Sequence, residues 1–364
     1  LDRSGTALIT GATGMLGSLI ARHLVHHHGI RHLLLTSRRG PNAPGATELT
    51  TELTNAGAHI TLTACDTTNP QQLQTLLTHI HPDHPLTTVI HTAGTLDDAL
   101  TTNLTPHQLH TVLQPKIDAA TNLHHQTRNH PLTHFILFSS AAGLLGAAGQ
   151  ANYAAANTYL DALAHHRHTH GLPATSLAWG AWTDTNGMTA QLTDIDRTRM
   201  TRAGVHPLTE HEGLTLFDTT LTLHTPHLAP LRLNPQTLQT QANNHTLPHL
   251  LHNLTRTPLP RATTTHTTTN NNLTHTLTTL TPTDQHRTLL DLIRTHTATV
   301  LGHTDPHTID PKRTFREHGF DSLAAIELRN TLNTTTGLHL TATLVFDHPT
   351  PEDLTTHLLT QLMP

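Results

Sequence analysis

The chain has 364 residues, room for about two domains, with 35% hydrophobic residues, 12% charged residues and a formal net charge of −5 with His neutral. This balance gives no basic footprint for nucleic acid and no apolar run of ~18 residues for a membrane helix. A single cysteine, Cys65, rules out an internal disulfide framework and fits a reducing cytoplasm, and the absence of a charged-then-apolar stretch after Leu1 leaves no secretory signal to expect.

The chain alternates strand and helix signals. Residues 6–10 read as a short buried strand, followed by a Gly-rich turn and an apolar-periodic helix over 15–28. Strands follow at 33–35, 59–63, 87–91, 134–138 and 174–178, and helices over 46–56, 70–79, 106–128 and 151–169. Strands alternating with helices of 10–20 residues predict an α/β fold, a Rossmann-like doubly wound parallel sheet. After about residue 235 the pattern decays, and 259–284, rich in Thr, His and Asn, has too little apolar surface to order itself, so it reads as a flexible linker. Helical periodicity resumes with Leu289, Leu290, Leu292, Ile293 and Val300 and ends with Leu354, Leu358 and Leu359, with Pro351 behind the N-cap candidate Thr350. A small helical bundle over 285–364 is expected.

Thr makes up about a fifth of the residues and His contributes 37. The His residues are scattered, and the tightest run, His26-His27-His28, falls late in a predicted helix where successive side chains splay apart. No metal site is expected, since zinc needs ligands gathered at fixed spacing.

Thr10-Gly11-Ala12-Thr13-Gly14-Met15-Leu16-Gly17 puts three glycines at a strand-to-helix turn. Such a turn lets backbone approach a pyrophosphate, and the helix N-terminus offers oriented N–H groups. A plain tight turn is the alternative. The second strand ends in Ser37-Arg38-Arg39, with no acidic residue to take a ribose 2′-hydroxyl. Arg38 and Ser37 suit a 2′-phosphate, which predicts NADPH; the alternative is a solvated Arg pair. Cys65-Asp66 after the third strand is a candidate for the adenine, and Ala93-Gly94 after the fourth for close approach of the dinucleotide. Ser140 ends the fifth strand. Tyr153 and Asn157, four apart on one helix face, would point together into a cleft at the carboxyl ends of the strands.

The run Phe138-Ser139-Ser140-Ala141-Ala142-Gly143, with Gly149-Gln150-Ala151-Asn152-Tyr153-Ala154-Ala155-Ala156-Asn157, resembles the ketoreductase domain of modular type I polyketide synthases, within the short-chain dehydrogenase/reductase superfamily. The resemblance covers residues 1–258. It implies a catalytic tetrad of Tyr153, Ser140, Lys116 and Asn157, with Lys and Asn exchanged relative to the wider superfamily. Tyr153 would donate a proton to the nascent alkoxide, Lys116 would lower its pKa, Ser140 would hydrogen-bond the carbonyl, and Asn157 would hold a water or the backbone in a relay. Leu96-Asp97-Asp98 resembles the signature of B-type ketoreductases, and Leu145 stands where A-type enzymes carry Trp. With Pro absent at Ala148 and Ala155, the resemblance implies B1-type stereochemistry and a D-configured hydroxyl, against the alternative of a solvated acidic turn. Trp179 through Met188 would form the substrate loop and 190–202 a lid helix.

Gly319-Phe320-Asp321-Ser322-Leu323 resembles the phosphopantetheine attachment motif of acyl carrier proteins, a four-helix bundle, with 4′-phosphopantetheine on Ser322; Ser322 as a simple N-cap is the alternative. The combined reading is an NADPH-dependent ketoreductase over 1–258, a linker over 259–284 and a carrier over 285–364. It would reduce a β-ketoacyl thioester, with other synthase domains and a phosphopantetheinyl transferase as partners, inside a larger homodimeric cytoplasmic synthase whose upstream structural subdomain is not in this chain. A redox-silent docking module and a reductase of freely diffusing substrates are the rival readings.

Overall fold

A computed structural model of the chain describes residues 1–147, 149–183, 200–243, 247–255, 270–303, 305–341 and 343–363. It separates into two compact units, one from Leu1–Thr193 and Arg199–Arg256 and one chiefly from Thr257–Pro364. The first begins β1 (Thr6–Thr10), α1 (Met15–His26), β2 (His32–Ser37), α2 (Ala46–Asn55), β3 (His59–Ala64), α3 (Pro70–Leu77) and β4 (Leu86–His91). It continues with α4 (Pro106–Leu113), α5 (Ile117–Thr127), β5 (His134–Ser140), α6 (Ala142–Leu145), α7 (Ala151–Thr169) and β6 (Thr175–Trp179). After the 184–199 stretch come β7 (Val205–His206), α8 (Glu210–Leu221), β8 (His227–Leu228), β9 (Arg232–Leu233) and α9 (Pro235–Asn243).

Seven strands form one sheet in the order β3-β2-β1-β4-β5-β6-β8, every pairing parallel. The order reverses between β1 and β4, and crevices at such switch points, beyond the carboxyl ends of the strands, are where open α/β sheets take ligands. Alternation of side chains along each strand feeds two cores. Ile9, Leu33, Leu35, Ile90, Ile136 and Phe138 pack on one face, and Leu8, Leu34, Val89, Phe135 and Leu137 on the other.

Several local differences from the sequence reading have physical causes. The helix expected over 106–128 is two, broken at Gln114-Pro115-Lys116, because Pro115 has no N–H and disfavours helical geometry in the residue before it. β7, β8 and β9 have two residues each, too short for any period. Beyond residue 235, α9 buries Leu238.

In the second unit, α10 (Asn270–Thr278), α11 (Pro282–Leu301), α12 (Ser322–Thr336), α13 (Leu344–Asp347) and α14 (Pro351–Leu362) surround one core. Leu289, Ile293, Phe315, Leu328, Leu332, Leu354 and Leu358 lie inside it. The helix expected behind Thr350 is there, with the Thr350 side chain accepting from Asp353 N. The span expected as flexible linker is partly helical: α10 falls within 259–284, and its Leu277 is buried in this core. Two leucines on a polar helix, Leu273 and Leu277, supply the apolar contact that composition alone does not register. Among the described residues, no helix is long and apolar enough to cross a membrane.

Candidate active site

A cavity of about 1180 Å³ opens at the carboxyl ends of the strands of the first unit, larger than the ~300–1,000 Å³ of ordinary small-molecule sites. At one end lies the turn between β1 and α1. Gly11 has φ +67°, and a β-carbon there would fall 2.8 Å from Ala93 N, so only glycine lets this turn meet the end of β4. A β-carbon at Gly17 would collide with the Gly11 carbonyl oxygen. Gly14 is the N-cap of α1 and provides no side-chain cap, so first-turn N–H groups of α1 are left for an anion. Thr10, Thr13, Gly14, Met15, Leu16 and Gly17 all line the cavity. This cradle, which a β-carbon would fill, fits the pyrophosphate of a dinucleotide.

Ser37, Arg38 and Arg39 line the same cavity at the end of β2. The Ser37 hydroxyl accepts from Gly40 N at 3.1 Å. Both arginines are exposed, so neither guanidinium is sequestered from a phosphate. Cys65 and Asp66 follow at the end of β3. Burial pushes the Cys65 thiol up to about 11, which keeps it a protonated, weakly polar wall. The Asp66 carboxylate accepts from Thr68 N and Oγ1 at 3.0 and 2.8 Å. Ala93 and Gly94 close this side.

At the other end the cavity is lined by Ser140, Tyr153 and Lys116, from the end of β5, the first turn of α7 and the break between α4 and α5. The break is what delivers Lys116: its backbone leaves the helix, and its side chain, 3% exposed, runs inward to donate to the Phe138 carbonyl at 2.6 Å. Its ammonium stands 5.8 Å from the centre of the Tyr153 ring. Burial lowers Lys116 to about 8, with the Asp161 carboxylate pulling the other way. Burial raises the Tyr153 phenol above its ordinary value, while the Ser140 and Asn157 side chains hold it partly down. His91, beneath the site, hydrogen-bonds Thr10 Oγ1 through Nδ1 at 2.7 Å. Burial first, and Lys116 second, depress it to about 3, so it stays neutral and leaves the local positive charge to Lys116.

Three expected residues do not line the cavity, although the Asn157 side chain acts on the Tyr153 phenol. Asn157 is fully buried and is not part of the cavity wall. Its amide donates to the Tyr153 carbonyl at 2.8 Å and its own carbonyl accepts from Ser139 Oγ at 3.2 Å. It therefore fixes α7 against β5. Asp97 and Asp98 also lie outside the wall, although Leu96 and Leu145 belong to it. Asp97 accepts from Gln108 Nε2 of α4 at 3.0 Å and, through its backbone carbonyl, from Asn152 Nδ2 at 2.9 Å, and Asp98 accepts from Gln150 Nε2 at 2.7 Å, so the pair ties α4 to the start of α7. The sequence reading also missed wall residues. Gln150 and Leu251 gave no signal of their own, whereas Trp179 and Trp182, in the stretch expected as the substrate loop, do line the wall. Residues 190–199 of the expected lid and 184–188 of the substrate loop fall outside the described residues, as does Ala148.

In the second unit, α12 begins at Ser322 and its N-cap is Asp321, whose carboxylate accepts from Ala324 N at 2.6 Å. Ser322 is the first helical residue and not the cap, so the N-cap alternative for it falls.

Residues 5–184 match the family model of the KR domain, and residues 291–358 that of the phosphopantetheine attachment site. The chain is 53% identical to polyketide synthase GfsB of Streptomyces halstedii, across 100% of this chain and 7% of that protein. It is 50% identical to the spectinabilin polyketide synthase system protein NorA' of Streptomyces orinoci, across 99% of this chain and 10% of that protein. Mycoketide-CoA synthase of Mycobacterium tuberculosis is 48% identical over 99% of this chain and 9% of its own length. The chain thus spans a tenth or less of these relatives. Among solved structures, A-type ketoreductases from a modular polyketide synthase align with a TM-score of 0.63 and 38% identity, covering 69% of this chain and 52% of that one. The first ketoreductase of the tylosin synthase aligns at 0.60 and 36%, covering 68% and 53%.

Proposed function

Because the chain belongs to the modular polyketide synthases, as a segment carrying a ketoreductase domain and a phosphopantetheine attachment domain, we propose that it reduces a β-ketoacyl thioester to a β-hydroxyacyl thioester with NADPH. The ketoreductase is assigned to residues 1–258 and the carrier to 285–364. The substrate travels on phosphopantetheine attached at Ser322, loaded by a phosphopantetheinyl transferase, within a larger homodimeric cytoplasmic synthase. The observation that carries this reading is that Tyr153, Ser140 and Lys116, from three separate segments, line the same cavity as the glycine turn.

Bound NADPH would supply the hydride to the β-carbon of the ketone. Tyr153 protonates the oxygen as it gains charge, and the Ser140 hydroxyl donates a hydrogen bond to the same oxygen. Lys116, in its charged form, favours phenolate at Tyr153 and so makes the phenol a stronger acid. Asn157 acts as a positioning residue through the backbone of Tyr153. Arg38 and Ser37 select the 2′-phosphate. Leu96-Asp97-Asp98 sets B1-type stereochemistry by fixing the start of α7, and with it the face that the ketone presents.

The test is NADPH oxidation by the whole chain on a short β-ketoacyl thioester. Tyr153→Phe is expected to abolish turnover while NADPH still binds. Turnover equal to wild type would overturn the assignment of the proton donor.

A further inference from the structure

A second site lies on the far end of α1, away from the β1–α1 turn. His23 and His27 are four apart, so they share a helix face, and their rings stack at 4.9 Å between centres with 9° between planes. A continuing helix would carry residue 28 away from them. Instead α1 ends at His26, His28 N reaches back to His23 O at 3.3 Å, and Gly29 turns the chain at φ +71°. His28 is thereby folded back, its ring 5.1 Å from those of His23 and His27. The splaying expected from a continuous helix does not occur.

The partner comes from α8, 190 or more positions along the chain. Asp218 Oδ1 lies 2.7 Å from both His23 Nε2 and His28 Nε2, and Asp218 Oδ2 lies 3.5 Å from His27 Nε2. One ligand atom from each of the four residues falls within 4.8 Å of the rest, and among the described residues no other group of His, Cys, Asp or Glu is so gathered. A second His stack, His32, His59 and His84, packs ring on ring without a carboxylate.

We propose that His23, His27, His28 and Asp218 form a binding site for a divalent first-row metal ion, zinc above all. Three imidazole nitrogens and one carboxylate oxygen are a ligand set that zinc takes tetrahedrally. Bonds of ~2.0–2.1 Å would hold the four ligand atoms about 3.3 Å apart, so the present spacing needs only small side-chain rotations. His23, 11% exposed, is anchored, and His27, 64% exposed, leaves the ion a way in. Three neutral imidazoles and one carboxylate leave one net positive charge on the bound ion, and binding joins the end of α1 to α8. The site is independent of the reductase reading.

The experiment is equilibrium dialysis of the 364-residue chain against chelator-buffered Zn²⁺, with thermal unfolding in parallel. The wild type is expected to take one equivalent at least tenfold more tightly than its other histidines do. At free zinc ~100 times the dissociation constant, Tm should rise by about 5–10 °C. His27→Gln, which changes an exposed side chain, should weaken the tight equivalent at least tenfold, as should Asp218→Asn. His59→Gln, in the carboxylate-free stack, should leave it in place. Uniform weak binding by the wild type, or a tight equivalent that survives in His27→Gln, would overturn the proposal.

Discussion

Replacing Lys116 with Met tests how the buried ammonium acts. Charged Lys116 lies 5.8 Å from the Tyr153 ring centre, and at an effective dielectric of ~20 that distance favours a phenolate by about 3 kcal/mol, or about 2 pK units. The effect is present only while Lys116 holds its proton, below about pH 8. Lys116→Met is therefore expected to lower kcat/KM for ketone reduction about 10–100-fold below pH 8, with little change in NADPH affinity. The wild type should show a basic limb in kcat/KM near pH 8, and the variant should lack it. Stability carries a second signature. Burial lowers the folded-state pKa from 10.5 to about 8, so across that window the unfolded chain holds the extra proton and wild-type stability rises with pH. The variant should lose this rise. A stopped-flow pH profile from 6 to 10, with circular dichroism to confirm folding, makes the comparison. An unchanged rate below pH 8, or a limb that persists without the lysine, would refute the reasoning.

Arg38→Ala should weaken NADPH about 10–100-fold, the range of hydrogen bonds to a charged group, and leave NADH nearly unchanged; fluorescence titration with both cofactors measures it. Gly17→Ala should abolish cofactor binding, because the added methyl would press on the backbone of Gly11 and Ala12, which form the turn itself; calorimetry detects the loss, and native-like binding would contradict the cradle. Ser322→Ala should block the mass gain on incubation with coenzyme A and a phosphopantetheinyl transferase, read by intact-protein mass spectrometry.

Where local signals agree, the sequence is sufficient. The apolar runs of β1 and β2, the glycine turn and α7, expected over 151–169 and found at Ala151–Thr169, all follow from short-range rules of periodicity and backbone freedom. Tyr153 and Ser140 were legible because each sits where an element starts or ends. What escaped depends on distant partners. The two-residue strand His227–Leu228 exists only because β6 offers it an edge. Asp97 and Asp98 are turned by Gln108 and Gln150, which no spacing along the chain reveals. Pro115 did signal the helix break that delivers Lys116, and apolar periodicity on either side masked it. The His cluster needs Asp218 from another helix and a reversal at Gly29, so a reading of α1 alone scatters its ligands.

The most direct test of the central claim is isotope transfer. NADPH deuterated at the transferable nicotinamide position is incubated with the whole chain and a short β-ketoacyl thioester, and the hydroxy product is resolved by chiral chromatography with mass detection. The account predicts one deuterium at the β-carbon of a single, D-configured alcohol. Oxidised cofactor with no label in the product, or no reduction at all, would contradict it.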